Sequence, residues 1–309
     1  MATDELIKIF SLSSIAFFFL FAVTPLFSKF IYHFRLGKNI LSDGSTPLYT
    51  EMHSKKRGTP TMGGILIWGT TIVLASVFWF LDRVLDIREF HILNFLTRRE
   101  TLLPLGAMVG ASLVGFLDDY LDIRQRGHMG RGLRFRIKVL LYAFVACVGA
   151  WWFYVKIGFD SIHVPFFGDI YLGIMFIPFF LLVVIGTSFA VNQTDGLDGL
   201  AGGTLSIAFF CFGIISYMQG RDNLAALCGV VCGGLLAFLW FNVHPARFFM
   251  GDTGSMGLGV LLAIVAFLTD TTLLLPLIGL IFVVEAGSFF LQIFWKRAFK
   301  RKLFLSAPI

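Results

Sequence analysis

Charge is what this sequence is short of. Only 14% of its 309 residues are Asp, Glu, Lys or Arg, where a soluble domain carries about 25%. Hydrophobic residues make up 57%, with 37 phenylalanines, and mean hydropathy is +0.82. An ordinary soluble domain is excluded. Cysteine is scarce too: Cys147, Cys211, Cys228 and Cys232 all fall inside apolar runs. Cys228 and Cys232 share a helical face, but two thiols alone make a weak metal site and read better as small packing residues. There is no G-x-x-x-x-G-K-[ST] loop, so a P-loop nucleotide site is excluded. Internal repeats, heptad arrays and low-complexity linkers are absent. The opening MATDELIK has neither a basic n-region nor an A-x-A site after it, so the first apolar run reads as a retained helix and not a signal peptide.

What is present is hydrocarbon. Stretches of bilayer length, about 20 residues each, centre near residues 20, 72, 110, 145, 181, 209, 231, 262 and 284. The expectation is an all-α, polytopic membrane protein of about nine spans, forming one domain over 1–309. Basic residues set its orientation. With the N-terminus periplasmic, 17 of the 25 Lys/Arg lie in inner segments and 7 in outer ones, Lys29 closing the first span. The net charge of +6 then concentrates on the cytoplasmic face, where anionic lipid or an anionic substrate would meet it.

That topology brings four polar segments to one surface: HSKKRGTPTMGG (53–64), GFLDDYLDIRQRGHMGRGLRFRIK (115–138), NQTDGLDGLAGG (192–203) and FNVHPARFFMGDTGS (241–255). Each has a plain structural reading. Asp195 or Asp198 could cap the helix that follows, as could Asp252, each contributing about 1 kcal/mol. Yet one Asp suffices for a cap, and ionised residues beside hydrocarbon are expensive. Asp118 and Asp119 diverge by about 100° on a helix and cannot share that task. A solvated acidic helix end paired with Arg124 and Arg126 is their plain reading. A cluster of carboxylates without a His/Cys pattern points instead to Mg²⁺ or Mn²⁺. GTPTMGG beside Lys56 suits close approach to phosphate, although Lys55, Lys56 and Arg57 also serve as positive-inside residues. Phe248 and Phe249 could stack on a planar base or pack at the membrane interface. Together these are the parts of a phosphoryl-transfer site working on a nucleotide beside a lipid.

At GTPTMGG, GFLDDY, VNQTDGLDGLAGG and FNVHPARFFMGDTGS the chain resembles the phospho-N-acetylmuramoyl-pentapeptide transferases, within the polyprenyl-phosphate N-acetylhexosamine-1-phosphate transferases. VVEAGSFFLQ and the API ending keep the same spacing. The resemblance implies transfer of phospho-MurNAc-pentapeptide from UDP-MurNAc-pentapeptide to undecaprenyl phosphate, giving lipid I and UMP, at the cytoplasmic face of a bacterial inner membrane. It implies a Mg²⁺ cofactor on Asp252, catalytic roles for Asp118, Asp119 and Asp252, and substrate contacts from Lys56, Asn192, Asp195, Gly196, Asp198 and Asn242, with Phe249 beside uracil. The bilayer is the expected surrounding, nucleic acid is not an expected partner, and a homodimer is compatible with the sequence. Phe189 and Gln193 stand where the family usually has Asn and Leu. The family continues past API into a histidine-rich loop and a tenth helix, so a chain truncated at Ile309 is expected. Two alternatives stay open: a related hexosamine-phosphate transferase, and an ion-coupled transporter, which should show repeats and midplane charges. A CDP-alcohol phosphotransferase is disfavoured, since its motif needs Arg where Gly202 stands.

Overall fold

The computed structural model describes residues 2–33, 59–85, 87–98, 100–124, 132–301 and 303–304. Lys56, Arg126 and the API ending lie outside them. Each expected span centre falls in a helix. These are α1 (Ala2–His33), α2 (Gly64–Leu85), α4 (Leu102–Ile123), α5 (Phe135–Trp151), α6 (Phe176–Thr194), α7 (Leu200–Met218), α8 (Asp222–Asn242), α9 (Asp252–Leu268) and α11 (Leu280–Phe299). Among the described residues there are also two short helices, α3 (Arg88–Leu93) and α10 (Leu275–Ile278). Helices are what such runs must form, because hydrocarbon offers no partner to backbone amides and carbonyls.

Seven of the described helices are long and apolar enough to cross a bilayer, and the α10–α11 pair, bent by 81°, makes an eighth. The expected ninth, α9, has only 17 residues. Its shortness has a physical reason: every residue from Thr253 to Leu268 is buried, so α9 faces protein on all sides and need not match the lipid. It is the axis of the bundle.

Small residues let that axis sit so deep. A Cβ on Gly64 would lie 2.2 Å from Gly254 Cα, and one on Gly259 would lie 2.6 Å from Ser188 Cα. A Cβ on Gly115 would meet the Asp252 carbonyl oxygen at 2.3 Å. Helices α2, α4 and α6 therefore touch α9 backbone to backbone, the packing that close-approach glycines allow in membranes. Polar side chains join the same contacts: Ser188 Oγ donates to the Met256 carbonyl at 2.9 Å, and Thr253 Oγ1 to that of Ser112 at 3.1 Å.

The far end of α9 is closed by aromatic rings. Phe267 packs on Phe180 with centroids 4.6 Å apart, and on Phe176 and Phe153 at 5.6 Å and 5.9 Å. Between α5 and α6 at this end, a π-helical turn (Trp152–Ile157) leads into a two-stranded hairpin, β1 (Ser161–Val164) and β2 (Gly168–Tyr171). On another flank, buried Lys8 ties α1 down, donating to Asn94 O at 2.9 Å and Asn223 Oδ1 at 2.6 Å.

Candidate active site

The end of the bundle opposite the hairpin gathers the C-termini of α4, α6 and α8 and the N-termini of α2, α5, α7 and α9. A helix N-terminus leaves its first amides without intrahelical acceptors. At α9 those acceptors come from other helices. The Gly251 amide donates to Asp195 Oδ2 at 2.9 Å, and the Thr253 amide to Asp119 Oδ2 at 3.0 Å. Asp195 follows the last residue of α6 and Asp119 lies near the C-terminus of α4, so two distant carboxylates cap one central helix. The N-cap position of α7 is taken by Gly199, φ 80°, with no side-chain cap bond, and not by Asp195 or Asp198.

Asp252 is the first residue of α9 and turns away from its own amides. Its Oδ1 accepts from Asn192 Nδ2 at 2.8 Å, and its Oδ2 pairs with the ammonium of Lys138. The same ammonium reaches Asp118 Oδ2 at 3.0 Å. Asp118 Oδ1 accepts from the Leu133 amide at 2.7 Å, in a turn where Gly132 takes φ 78°. A Cβ on Gly132 would stand 2.7 Å from that oxygen, so the turn can wrap the carboxylate only because the residue is glycine. Asn192 Nδ2 also reaches Ser255 Oγ at 2.9 Å.

The four carboxylates thus divide in two. Asp119, 2% exposed, and Asp195 hold helix amides. Asp118 and Asp252, each side chain 13% exposed, share one ammonium. Two carboxylates converging on a single positive charge leave a net negative point, which a further cation would relieve. The donors are oxygens only, the set that suits a hard divalent ion. Among the described residues, the group of three His or Asp side chains whose ligand atoms lie within 4.8 Å of one another is His163, Asp169 and Asp270, at the hairpin end and apart from this cluster.

The remaining site candidates land nearby but do different things. Asp198 Oδ2 accepts from the Ala246 amide at 3.4 Å and lies 2.9 Å from His244 Nδ1, fastening the 195–199 turn to the 243–249 loop. Asp195 and Asp198 therefore serve separate partners. Asn242, buried at 2% exposure, uses its oxygen on the Gly199 amide (3.0 Å) and its amide on Phe248 O (2.9 Å). It is a clamp between α7 and the loop after α8. Gly196 is exposed, and a Cβ there would meet only the Gln193 carbonyl oxygen, at an ordinary 3.7 Å.

The aromatic pair separates as well. Phe248 is fully buried, its ring 5.6 Å from Phe238 and 6.2 Å from Phe241. Phe249 is partly exposed, and its backbone is pinned to the residues of GTPTMGG: its amide donates to Pro60 O and its carbonyl accepts from Gly63, both at 2.8 Å. The segment carrying Phe249 and the segment following Lys56 are thereby one surface.

Sequence reasoning missed Lys138. It is one of six Lys/Arg in 118–138, and nothing in their spacing distinguishes it from a positive-inside residue. It missed Ser255 and the Gly132–Leu133 turn for a similar reason, since their partners lie far away in the chain.

Comparison with known proteins gives this geometry a family. Residues 101–270 match the model described as glycosyl transferase family 4, and residues 56–67 match phospho-N-acetylmuramoyl-pentapeptide-transferase signature 1. A phospho-N-acetylmuramoyl-pentapeptide-transferase of Chloroflexus aurantiacus is 35% identical over 99% of this chain and 82% of its own length. Relatives of the same name from Geobacillus and Clostridium perfringens are 36% and 38% identical, over 93% and 92% of this chain and 83% of theirs. With such similarity running through all the segments that build the carboxylate cluster, the chain belongs to the phospho-N-acetylmuramoyl-pentapeptide-transferase family, a family of membrane transferases.

Proposed function

We propose that the protein transfers phospho-MurNAc-pentapeptide from UDP-MurNAc-pentapeptide to undecaprenyl phosphate, producing lipid I and UMP, on the cytoplasmic side of a bacterial inner membrane. The observation that carries this reading is the convergence of Asp118 and Asp252, from helices far apart in the chain, on Lys138 at the end of the bundle. The asymmetry of Lys and Arg supports the cytoplasmic placement.

In the proposed reaction an oxygen of the acceptor phosphate forms a bond to the sugar-linked phosphorus. The bond from that phosphorus to the bridging oxygen of UDP breaks, and UMP leaves with the electron pair. Acceptor and donor are both anionic, so charge is the main obstacle. Mg²⁺, when bound by Asp252 and Asp118, supplies positive charge against the diphosphate. Lys138, already between those carboxylates, supplies a second positive charge from the protein itself. A phosphate monoester has its second pKa near 6, so the acceptor is largely dianionic at neutral pH and no strong base is needed. Asp119, buried against the Thr253 amide, fits a positioning role that keeps α4 in register with α9. Asn192 orients Asp252. Phe249, the accessible ring of its pair, takes the uracil face, and Lys56 of the matched signature lies close by in sequence to meet the phosphates.

The test is UMP release from UDP-MurNAc-pentapeptide by the purified protein, with and without undecaprenyl phosphate and Mg²⁺. Release that needs both supports the reading, and Asp252→Asn should lower it by about 10²-fold or more. Near-wild-type transfer by Asp252→Asn, or release indifferent to the lipid, would sink it.

A further inference from the structure

The hairpin between α5 and α6 carries a tip that no part of the described protein covers. Its sequence, Val164-Pro165-Phe166-Phe167-Gly168, has no charged side chain, and Phe166 and Phe167 are 103% and 85% exposed. Phe166 sits at φ 71°, a left-handed backbone that is a genuine outlier for a bulky residue. A bond from the Phe167 amide to Val164 O at 3.0 Å closes the turn. Conformational energy is thus spent to present two phenyl rings outward.

Below the turn the hairpin is held differently, starting at the pair next to the one that closes it. His163 and Asp169 are cross-strand partners, 2.7 Å apart at Nδ1 and Oδ1, and the His163 amide donates to Asp270 Oδ1 at 3.3 Å. Leu172 and Gly173 donate to Asp160 O at 2.8 Å and 2.9 Å. Polar contacts therefore close the base on itself and tie His163 to Asp270 just past α9, while the turn itself is purely apolar.

The covalent surroundings say what medium the tip meets. One apolar span ends at Ile157 and the next begins at Gly173. The strands that carry the tip are only four residues each, roughly 13 Å of extended chain. The first span finishes in Trp151, Trp152, Tyr154 and Lys156, with the Lys156 ammonium 5.5 Å from the Trp151 ring, the aromatic and basic girdle that marks a membrane interface. On the other strand, Tyr171, Ile174 and Met175 are 73%, 69% and 65% exposed and run into the next span. Apolar side chains are thus exposed at both ends of the hairpin, at the span ends and at the tip, with the exposed His163–Asp169 pair between them.

We propose that this hairpin is a membrane anchor, its Phe166 and Phe167 rings inserted in the lipid interface on the side opposite the carboxylate cluster. The partner is the bilayer itself. The anchor joins the outer ends of α5 and α6, the two helices whose inner ends carry Lys138 and Asn192, and so fixes their depth in the lipid.

Insertion can be read with a nitroxide placed by Phe166→Cys or Phe167→Cys, in protein whose four native cysteines are alanine, reconstituted in phospholipid vesicles. Both labels should collide more with dissolved oxygen than with a water-soluble nickel chelate, and a label at Asp169→Cys should do the reverse. Chelate-dominated collisions at 166 and 167 would place the tip in water and overturn the proposal. Protection from both reagents would show a protein partner and overturn it equally. A second probe leaves the native cysteines in place: emission added by Phe166→Trp should be quenched by brominated lipid and spared by aqueous iodide. The opposite pattern refutes insertion.

Discussion

Gly115→Ala adds one methyl group, changes no charge and touches no substrate, yet it should disable the site. The added Cβ would stand 2.3 Å from the Asp252 carbonyl oxygen, 2.5 Å from its carbon and 2.7 Å from the Thr253 nitrogen. All three are backbone atoms of α9, so no side chain can swing aside. Relief requires α4 and α9 to part by about 1 Å, and overpacking of that kind costs about 1–3 kcal/mol. The parting lengthens the bond from the Thr253 amide to Asp119 Oδ2, now 3.0 Å. It also moves Asp118 on α4 away from Asp252 on α9, so that Lys138 can no longer reach both. Misplacement of reacting groups by about 1 Å costs roughly 10²-fold in rate. The assay is UMP release, together with the thermal unfolding midpoint in detergent. The control is Gly106→Ala on the same helix, where a Cβ meets nothing within 4 Å. That variant should keep full activity and lose no stability. If Gly115→Ala proves indistinguishable from Gly106→Ala in both measurements, the backbone-contact account of the α4–α9 interface is wrong.

Other substitutions separate roles that the site has brought together. Lys138→Met leaves Asp118 and Asp252 without their shared ammonium and should cost up to about 3 kcal/mol, with part of the lost thermal stability returned by millimolar Mg²⁺. No return with Mg²⁺ would count against cation binding between those carboxylates. Phe249→Ala should weaken UDP-sugar binding with little change in unfolding midpoint, whereas Phe248→Ala should cost about 3–5 kcal/mol by emptying a packed position. Equal destabilisation in calorimetry would return both rings to the core. Beside the hairpin, burial pushes the Asp270 carboxyl up from its ordinary value, against the opposing bond from the His163 amide. The folded state therefore holds this proton more tightly than the unfolded state, and stability is lost as pH rises through the folded value. Asp270→Asn keeps an acceptor for His163 and removes the desolvated charge. Its midpoint should exceed wild type near neutral pH and match it below the ordinary carboxylate range; a gain independent of pH would exclude this cause.

The spans were legible because the bilayer imposes a length rule that the apolar runs obey one by one. The exception, α9, shows the limit of that rule: a helix enclosed by protein is freed from the lipid's thickness, and sequence length alone cannot tell which helix will be enclosed. The small residues of DTGSMGLG do carry that signal, through the close approaches they permit. Within the site, Asp118, Asp119, Asn192, Asp195 and Asp252 were legible as polar residues out of place beside hydrocarbon. What each one binds was not, because the partners lie far along the chain on other helices. Asn242 illustrates the point. It stands among the site candidates by its neighbours, but both ends of its amide are used on backbone groups. The hairpin escaped notice because two four-residue strands are too short for alternation to stand out from a loop.

The way α9 begins also constrains how phosphate can bind. A helix N-terminus ordinarily attracts anions through its unpaired amides and the positive end of its dipole. At α9 that capacity is already taken: Asp195 holds the Gly251 amide and Asp119 holds that of Thr253. Gly251, at φ 74°, leaves no room for a side chain, since a Cβ there would lie 2.5 Å from Thr61 Oγ1 and 2.6 Å from Asp119 Oδ2. A diphosphate cannot enter this cradle without displacing carboxylates that hold three helices together. The helix dipole therefore serves to fix Asp119 and Asp195, and through them the position of Asp252. On the proposed reading, positive charge for the substrate comes from elsewhere, from Lys138, from the basic residues before GTPTMGG, and from a cation on Asp118 and Asp252. It follows that Asp119→Asn and Asp195→Asn, which keep an oxygen for each amide, should preserve more transfer than Asp252→Asn. Ranking the three variants by UMP release tests the division directly, and an Asp119→Asn loss as deep as that of Asp252→Asn would place Asp119 in the chemistry after all.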